Sequence, residues 1–359
     1  MKKTKIVQKT NNLNILTDEQ NYVLDRVIKN IDINQITCIG GLAGTGKTTL
    51  ISHLIQKLPN FACCAFTGKA ADVLRSKGVQ ATTIHSLIYQ PIKNKKGGVE
   101  FVLKNTIPAS GVIVDEASMV GTDIYQDLIS YGVPIIFVGD HGQLEPVGQD
   151  IYLMSNPDYK LETVHRNAGD IALFAEHLRK GKPSKAYPAG KKVHIQSKEE
   201  CIKHIADMDQ IICATNSKRV IINRYVREAK GIKGDAPVVG DRVISLMNSR
   251  KKEIYNGTQG VIVAIDAEKI QMKVKVNGVP KVVSVKYNIN TFNEEKVNKD
   301  FDSNIHPLDY AYAITCHKAQ GSEWDKVMVI EDKCPLWDHN RWTYTAASRA
   351  KEALYWVTS

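Results

Sequence analysis

The chain has 359 residues, 43% apolar and 24% charged, which suits a soluble protein of two domains with sizeable cores. Its 48 Lys and Arg against 38 Asp and Glu leave a formal charge of +10, which favours a polyanionic partner, nucleic acid first. No segment is long and apolar enough to span a membrane, and the seven cysteines include no Cys-x-x-Cys pair, which excludes a zinc ribbon and points to a reducing compartment without disulfides. The Met1-Lys2-Lys3 start is like the basic head of a signal peptide, but no apolar segment follows before Leu16, so none is expected.

In chain order, Gln35-Ile36-Thr37-Cys38-Ile39 reads as a buried strand over 35–40 and Thr49 to Ile55 as the opening of a helix. Between them lies a complete phosphate-binding loop: Gly41, Leu42, Ala43, Gly44, Thr45, Gly46, Lys47, Thr48. Its glycines let backbone N–H groups turn in around a triphosphate, and the helix N-terminus adds its positive end. Lys47 supplies a point charge for the outer phosphates, and Thr48 a hydroxyl for Mg²⁺. Further strands are expected at 61–66, 111–115 and 134–138. The turn signal Asn94 to Gly98, between strand-like Ile88–Lys93 and Val99–Leu103, predicts a β-hairpin inserted at about 87–105.

The strand Val112-Ile113-Val114 ends in Asp115-Glu116. Such a pair is often a solvated turn, but in a chain carrying the loop Asp115 is the expected partner of Mg²⁺ and Glu116 the group that polarises the attacking water. Gly139 to Val147 follows the next strand, and Gln143 within it is suited to sense the terminal phosphate or hold the water; the alternative is an ordinary β-turn. Residues 166–235 read as helical and mixed, with a buried strand at Gln210–Ala214. Short β-rich segments at 238–244, 260–265, 270–276 and 281–287 suggest a small antiparallel barrel over about 237–305, and 308–359 returns to the α/β pattern with strands at 326–330 and 354–357. Lys251, Lys252, Lys273 and Lys275 give the barrel a basic face, either a nucleic-acid contact or a solvated surface.

The ordered set Leu16–Gln20, Gly41–Thr48, Thr67–Ala71, Thr82–Ser86, Asp115–Met119, Gly139–Val147, Val164–Arg166, Ala214–Asn216, Ala313–Glu323 and Tyr344–Ala350 resembles the superfamily 1B DNA helicases, the RecD-like and phage Dda-like group, over nearly the whole chain. The resemblance implies an α/β fold of two RecA-like parallel-sheet P-loop domains, 1–165 with the hairpin and 166–359 with an SH3-like barrel, binding ATP and Mg²⁺ in the cleft between them. It implies that Gln20 reads adenine, that Thr49, Gly321 and Glu323 lie by the nucleotide, and that Arg166 and Arg349 face the transferred phosphoryl group. Phe66, Thr67, Lys69, Thr83, His85 and Phe101 in the first domain, with Thr215, Asn216, Thr315, His317 and Lys318 in the second, would contact single-stranded DNA. Where the family often has Pro, this chain has Phe66, which either stacks on a base or closes its strand into the core. Phe101 and Tyr89 are candidates for a strand-separating wedge, or for cross-strand packing.

The implied activity is ATP-driven, 5′-to-3′ translocation on single-stranded DNA with unwinding of forked duplexes. A monomer is expected, in the cytoplasm of a bacterial cell or phage-infected host, with a replication or single-strand-binding protein as a further partner. Three rivals remain open: a P-loop kinase acting on a small molecule, a DNA-binding module switched by ATP, and a motor on RNA.

Overall fold

The computed structural model describes residues 15–93, 99–145, 152–164, 169–188, 190–247, 249, 252, 254, 256–277, 281–296, 305–333, 335 and 337–358. The chain divides into two compact units, Met1–Ala168 and Gly169–Ser359.

The first unit opens with α1 (Asp18–Asn30), started by a capping box in which Thr17 Oγ1 accepts from the Gln20 N–H and the Gln20 side chain accepts from the Thr17 N–H. There follow β1 (Ile36–Gly41), α2 (Lys47–Lys57), β2 (Phe61–Ala65), α3 (Gly68–Ser76), β3 (Ala81–Thr83) and α4 (Ile84–Ile88). Next come β4 (Tyr89–Lys93), β5 (Val99–Leu103), β6 (Gly111–Asp115), α5 (Thr122–Ile129), β7 (Ile135–Gly139) and β8 (Tyr159–Leu161). Apart from β4 and β5, which pair antiparallel with each other, the strands form one sheet ordered β3-β2-β6-β7-β1-β8, every neighbour parallel. Strand alternation sorts the apolar runs onto two faces. Ile113, Ile136 and Val138 join Val23 and Leu24 of α1 and Leu50 and Leu54 of α2 on one face, while Val112, Val114, Ile135 and Phe137 pack with Ile84 and Leu128 on the other. A sheet covered on both faces explains why its central strands are unbroken apolar runs.

The second unit contains α6 (Gly169–Arg179), β9 (Val193–Gln196), α7 (Lys198–Cys201), β10 (Gln210–Cys213) and α8 (Asn216–Ala229). Then come β11 (Arg242–Ser245), β12 (Gln259–Asp266), β13 (Gln271–Val276), β14 (Val282–Lys286) and β15 (Leu308–Tyr310), followed by β16 (Ala313–Thr315), α9 (Cys316–Ala319), β17 (Trp324–Ile330), α10 (His339–Ala347) and β18 (Ala350–Val357). Its parallel sheet runs β16-β10-β17-β18-β9. Between β10 and β16 in sequence stands an antiparallel sheet ordered β14-β13-β12-β11-β15.

This second sheet differs from the sequence reading at both ends. The strand expected from Val238 begins only at Arg242, because the Asp241 carboxylate accepts from the Val238 N–H at 2.8 Å and folds that stretch into a turn. Leu308–Tyr310, expected to belong to the returning α/β pattern, instead pairs with β11 as the fifth strand. Buried ion pairs tie the sheet to α8. Arg227 pairs with Asp241 at 3.1 Å and lies 4.3 Å over the Tyr310 ring, and Arg219 pairs with Asp309. Removing one partner of such a pair costs about 3–5 kcal/mol, since the other charge stays buried.

His306 adds a pH dependence. It is 3% exposed, and Ser245 Oγ gives its proton to the Met247 carbonyl, so His306 Nε2 donates to Ser245 Oγ at 2.8 Å as a neutral ring. Burial, with the Lys252 charge second, pushes its pKa down to about 4 from the ordinary 6.5. With the folded value depressed, the unfolded chain binds the extra proton, so this contribution is present above pH 6.5 and lost as pH falls towards 4. The melting temperature is therefore expected to fall more steeply between pH 7 and pH 4.5 in the parent chain than in His306→Gln; parallel curves would remove His306 from the account.

Candidate active site

The carboxyl ends of neighbouring parallel strands form the usual ligand crevice of an open α/β sheet. In the first unit β6, β7 and β1 are adjacent, and their ends carry Asp115-Glu116, Asp140 and the glycine loop. Gly46, at φ 79°, is the N-cap of α2 and offers no side-chain cap, and the first turn holds no carboxylate, so the helix N–H groups are left for an external anion. Gly41 admits no side chain: a Cβ there would lie 2.7 Å from Lys47 Cγ and 2.9 Å from Thr45 Oγ1. The loop is braced from inside, since Thr45 Oγ1 donates to the Leu42 carbonyl at 2.8 Å and Gln20 Nε2 donates to the Thr45 carbonyl at 2.8 Å. Ala43, Thr48 and Thr49 are half-buried and Gly44 is exposed.

Lys47 Nζ donates to the carbonyls of Gly41 (2.7 Å) and Leu42 (3.0 Å) and stands 3.7 Å from Asp140 Oδ2. Asp140 is 1% exposed and also accepts from Gly142 N–H at 2.9 Å and Gln143 Nε2 at 3.1 Å. It therefore links the loop lysine to Gln143, a role the sequence reading missed by giving the segment's chemistry to Gln143 alone. The signal was there: Asp140 follows the apolar strand β7 as Asp115 ends β6.

Asp115 is pushed up to about 7 from 3.8, first by burial and then by the Glu116 charge, with the Glu116 N–H bond and Lys47 acting in the opposite direction. Its Oδ1 accepts that N–H at 2.9 Å. Glu116 has φ 55°, a left-handed backbone unusual for a residue with a side chain and typical of strained functional positions. Two crowded carboxylates at a strand end, one with its pKa raised, are what a cation would relieve. Among the described residues no cluster of three or more His, Cys, Asp or Glu could hold a metal by itself. Thr48 and Asp115 are a hard-oxygen pair of the kind Mg²⁺ uses, since that ion keeps several waters and leans on one or two protein oxygens plus the substrate phosphates.

The strand-contact candidates gather at other strand ends. Phe66 and Thr67 follow β2, Thr83 ends β3, its edge neighbour, and His85 follows it. Thr67 and Thr83 each cap the next helix, accepting from the N–H of Ala70 (3.1 Å) and Ser86 (3.2 Å). Phe66 packs partly buried against the core, which favours its structural alternative. The Tyr89 ring packs on the same core and its hydroxyl donates to Asp127, so Tyr89 is anchored, while Phe101 is 37% exposed. Lys69 lies within α3, its side chain outside the described residues, and Arg166 lies outside them altogether.

In the second unit Thr215 caps α8 by accepting from the Lys218 N–H at 3.3 Å, and exposed Asn216 accepts from Arg219 Nε at 3.3 Å. Thr315 is 9% exposed at the start of α9, His317 is half-buried and Lys318 exposed. Arg349 is 4% exposed and donates to the carbonyls of Thr345 (3.0 Å) and Ser322 (3.3 Å) and to Ser348 Oγ (2.9 Å); among the described residues no carboxylate pairs with it. Gly321, at φ 69°, and exposed Glu323 flank Ser322.

A glycine loop closing on a bare helix N-terminus, beside carboxylates on adjacent strand ends, defines a P-loop nucleoside triphosphatase. Residues 15–206 match the AAA domain family and 310–357 the UvrD-like helicase C-terminal domain. The chain belongs to the AAA domain family and to the superfamily 1B helicases. It is 26% identical to the ATP-dependent RecD2 DNA helicase of Deinococcus radiodurans over 95% of this chain, and spans 48% of that protein's length. It is 25% identical to the ATP-dependent DNA helicase Pif1 of Campylobacter jejuni, over 91% of this chain and 89% of that one. The solved structure of a Bacteroides Pif1 helicase in complex with ADP-AlF3 and ssDNA matches the fold with a TM-score of 0.59 at 22% identity, covering 96% of this chain and 92% of that one.

Proposed function

We propose that this chain is an ATP-dependent DNA helicase that translocates on single-stranded DNA, 5′ to 3′, and unwinds forked duplexes. The observation that carries the reading is the company the nucleotide site keeps: a second parallel-sheet unit whose neighbouring strands β10 and β16 end in Thr215-Asn216 and Thr315-Cys316-His317-Lys318. A small-molecule kinase needs no such unit. A mere ATP switch has no need of Glu116 and Gln143, which this chain keeps.

In the proposed mechanism Lys47 leaves the Gly41 and Leu42 carbonyls for the outer phosphates, while the N–H groups of the loop and of α2 hold the rest. Thr48 and Asp115 would hold Mg²⁺, which would supply positive charge against the triphosphate. Glu116 orients the attacking water and takes its proton. Gln143, steered by Asp140, reports the terminal phosphate. Arg349, with Arg166 by resemblance, stabilises charge on the transferred phosphoryl group. Gln20 and Glu323 lie towards the nucleoside. Thr67, Lys69, Thr83 and His85, with the second-unit segments, grip backbone phosphates without reading sequence.

On the same reading β4 and β5 form a junction hairpin and the antiparallel sheet an SH3-like barrel. The motor acts as a monomer in the cytoplasm of a bacterial cell or phage-infected host, with a replication or single-strand-binding protein as partner. Among the described residues no helix is long and apolar enough to cross a membrane. Unwinding of forks with one single-stranded tail tests the polarity: separation only with a 5′ tail supports the assignment, and separation only with a 3′ tail reverses it. Phe101→Ala is expected to slow duplex separation several-fold more than ATP hydrolysis on single strands; equal loss of both would mark Phe101 as a packing residue.

A further inference from the structure

The order β16-β10-β17 brings three carboxyl ends together in the second unit. Two of them carry segments proposed above to hold the single strand, Thr215-Asn216 after β10 and His317-Lys318 after β16. The third, after β17, has no role in the sequence reading, yet two contacts tie it to the others. Lys218, in the first turn of α8, pairs with Asp332, just beyond β17. The Trp337 ring meets the His317 ring edge-on, 5.7 Å between centroids and 72° between planes.

Trp337 is unlike the tryptophans of the core. Trp342 and Trp356 are wholly buried; Trp356 donates its indole N–H to Glu331 at 2.7 Å, while the Trp342 N–H has no acceptor among the described residues, so exposure is what sets Trp337 apart from both. Trp337 is only half-buried, and its indole N–H has no acceptor among the described residues. Among the described residues, no hydrogen bond holds this ring in place. An amphipathic aromatic of this size kept at a surface otherwise built of Thr, Asn, His and Lys suits a flat π-face as its partner.

We propose that Trp337, with His317 edge-on beside it, is a stacking platform for one base of the tracked strand. The inference rests on the single-strand reading above and deepens it. Thr215, Asn216 and Lys318 hold phosphates, and a stacked base adds grip without sequence choice, because every base has a π-face.

The test is a pair of fluorescently labelled oligonucleotides of equal length, one normal and one with abasic sites throughout, titrated with the parent chain, Trp337→Ala and Trp337→Phe. Trp337→Ala is expected to weaken binding of the normal strand about tenfold while changing the abasic strand little. Trp337→Phe should recover most of the loss. Both strands are measured with one preparation, so partial misfolding, which lowers both, does not imitate this result. Equal weakening on the two strands, or none on the normal strand, overturns the inference alone. Failure of the parent chain to bind either strand overturns it together with the reading beneath it.

Discussion

Lys47→Ala should lower nucleotide turnover by roughly 100- to 1,000-fold, the effect of removing a positioned charge from a site where charge develops. Lys47 is the only cation placed inside the loop itself, and its ammonium lies on the Gly41 and Leu42 carbonyls, 3.7 Å from Asp140. The substitution also leaves the Asp140 carboxylate, 1% exposed, without that charge nearby, so Gln143 is expected to lose its fixed position as well. The two losses act on one site and should not add when Lys47→Ala is combined with Asp140→Asn. Steady-state hydrolysis, with thermal melting to verify folding, measures this. Normal turnover in Lys47→Ala would sink the loop assignment.

Glu116→Gln is expected to separate binding from chemistry. Glutamine has the same shape and can take the same left-handed backbone at φ 55°, so the fold at the end of β6 should survive. The lost function is the polarising carboxylate, worth roughly 100- to 10,000-fold in rate. ATP and DNA affinities should stay close to those of the parent. There is a further reason for retained nucleotide binding. The Glu116 charge helps push the Asp115 pKa up, so removing it lets Asp115 ionise more readily and favours a cation there. Loss of ATP affinity in Glu116→Gln would make the residue structural.

How much of this was legible in the sequence depends on where the determining contacts lie. The central strands β1, β2, β6 and β7 were visible because burial on both faces makes them apolar runs. The short strands β3, β8 and β9 were not: each lies at a sheet edge, and Ala81-Thr82-Thr83 and Tyr159-Lys160-Leu161 carry too few buried positions to stand out. The phosphate loop was legible because its chemistry is contiguous. Asp140 carried a signal, its place after the apolar run of β7, but its partner Lys47 could be named only once β7 was seen to lie beside β1. Thr67, Thr83 and Thr215 are ambiguous for another reason. A threonine before a helix is called for by the cap it makes, and all three make one. A contact with a nucleic acid would leave no separate mark in sequence.

Hydrolysis of ATP by the purified chain, with and without a single-stranded DNA oligonucleotide at low and moderate salt, tests the central claim most directly. A motor on a charged track should be strongly stimulated by the strand, and the stimulation should weaken as salt rises. Hydrolysis indifferent to DNA under both conditions would contradict the account and turn attention to an RNA track or to the kinase reading.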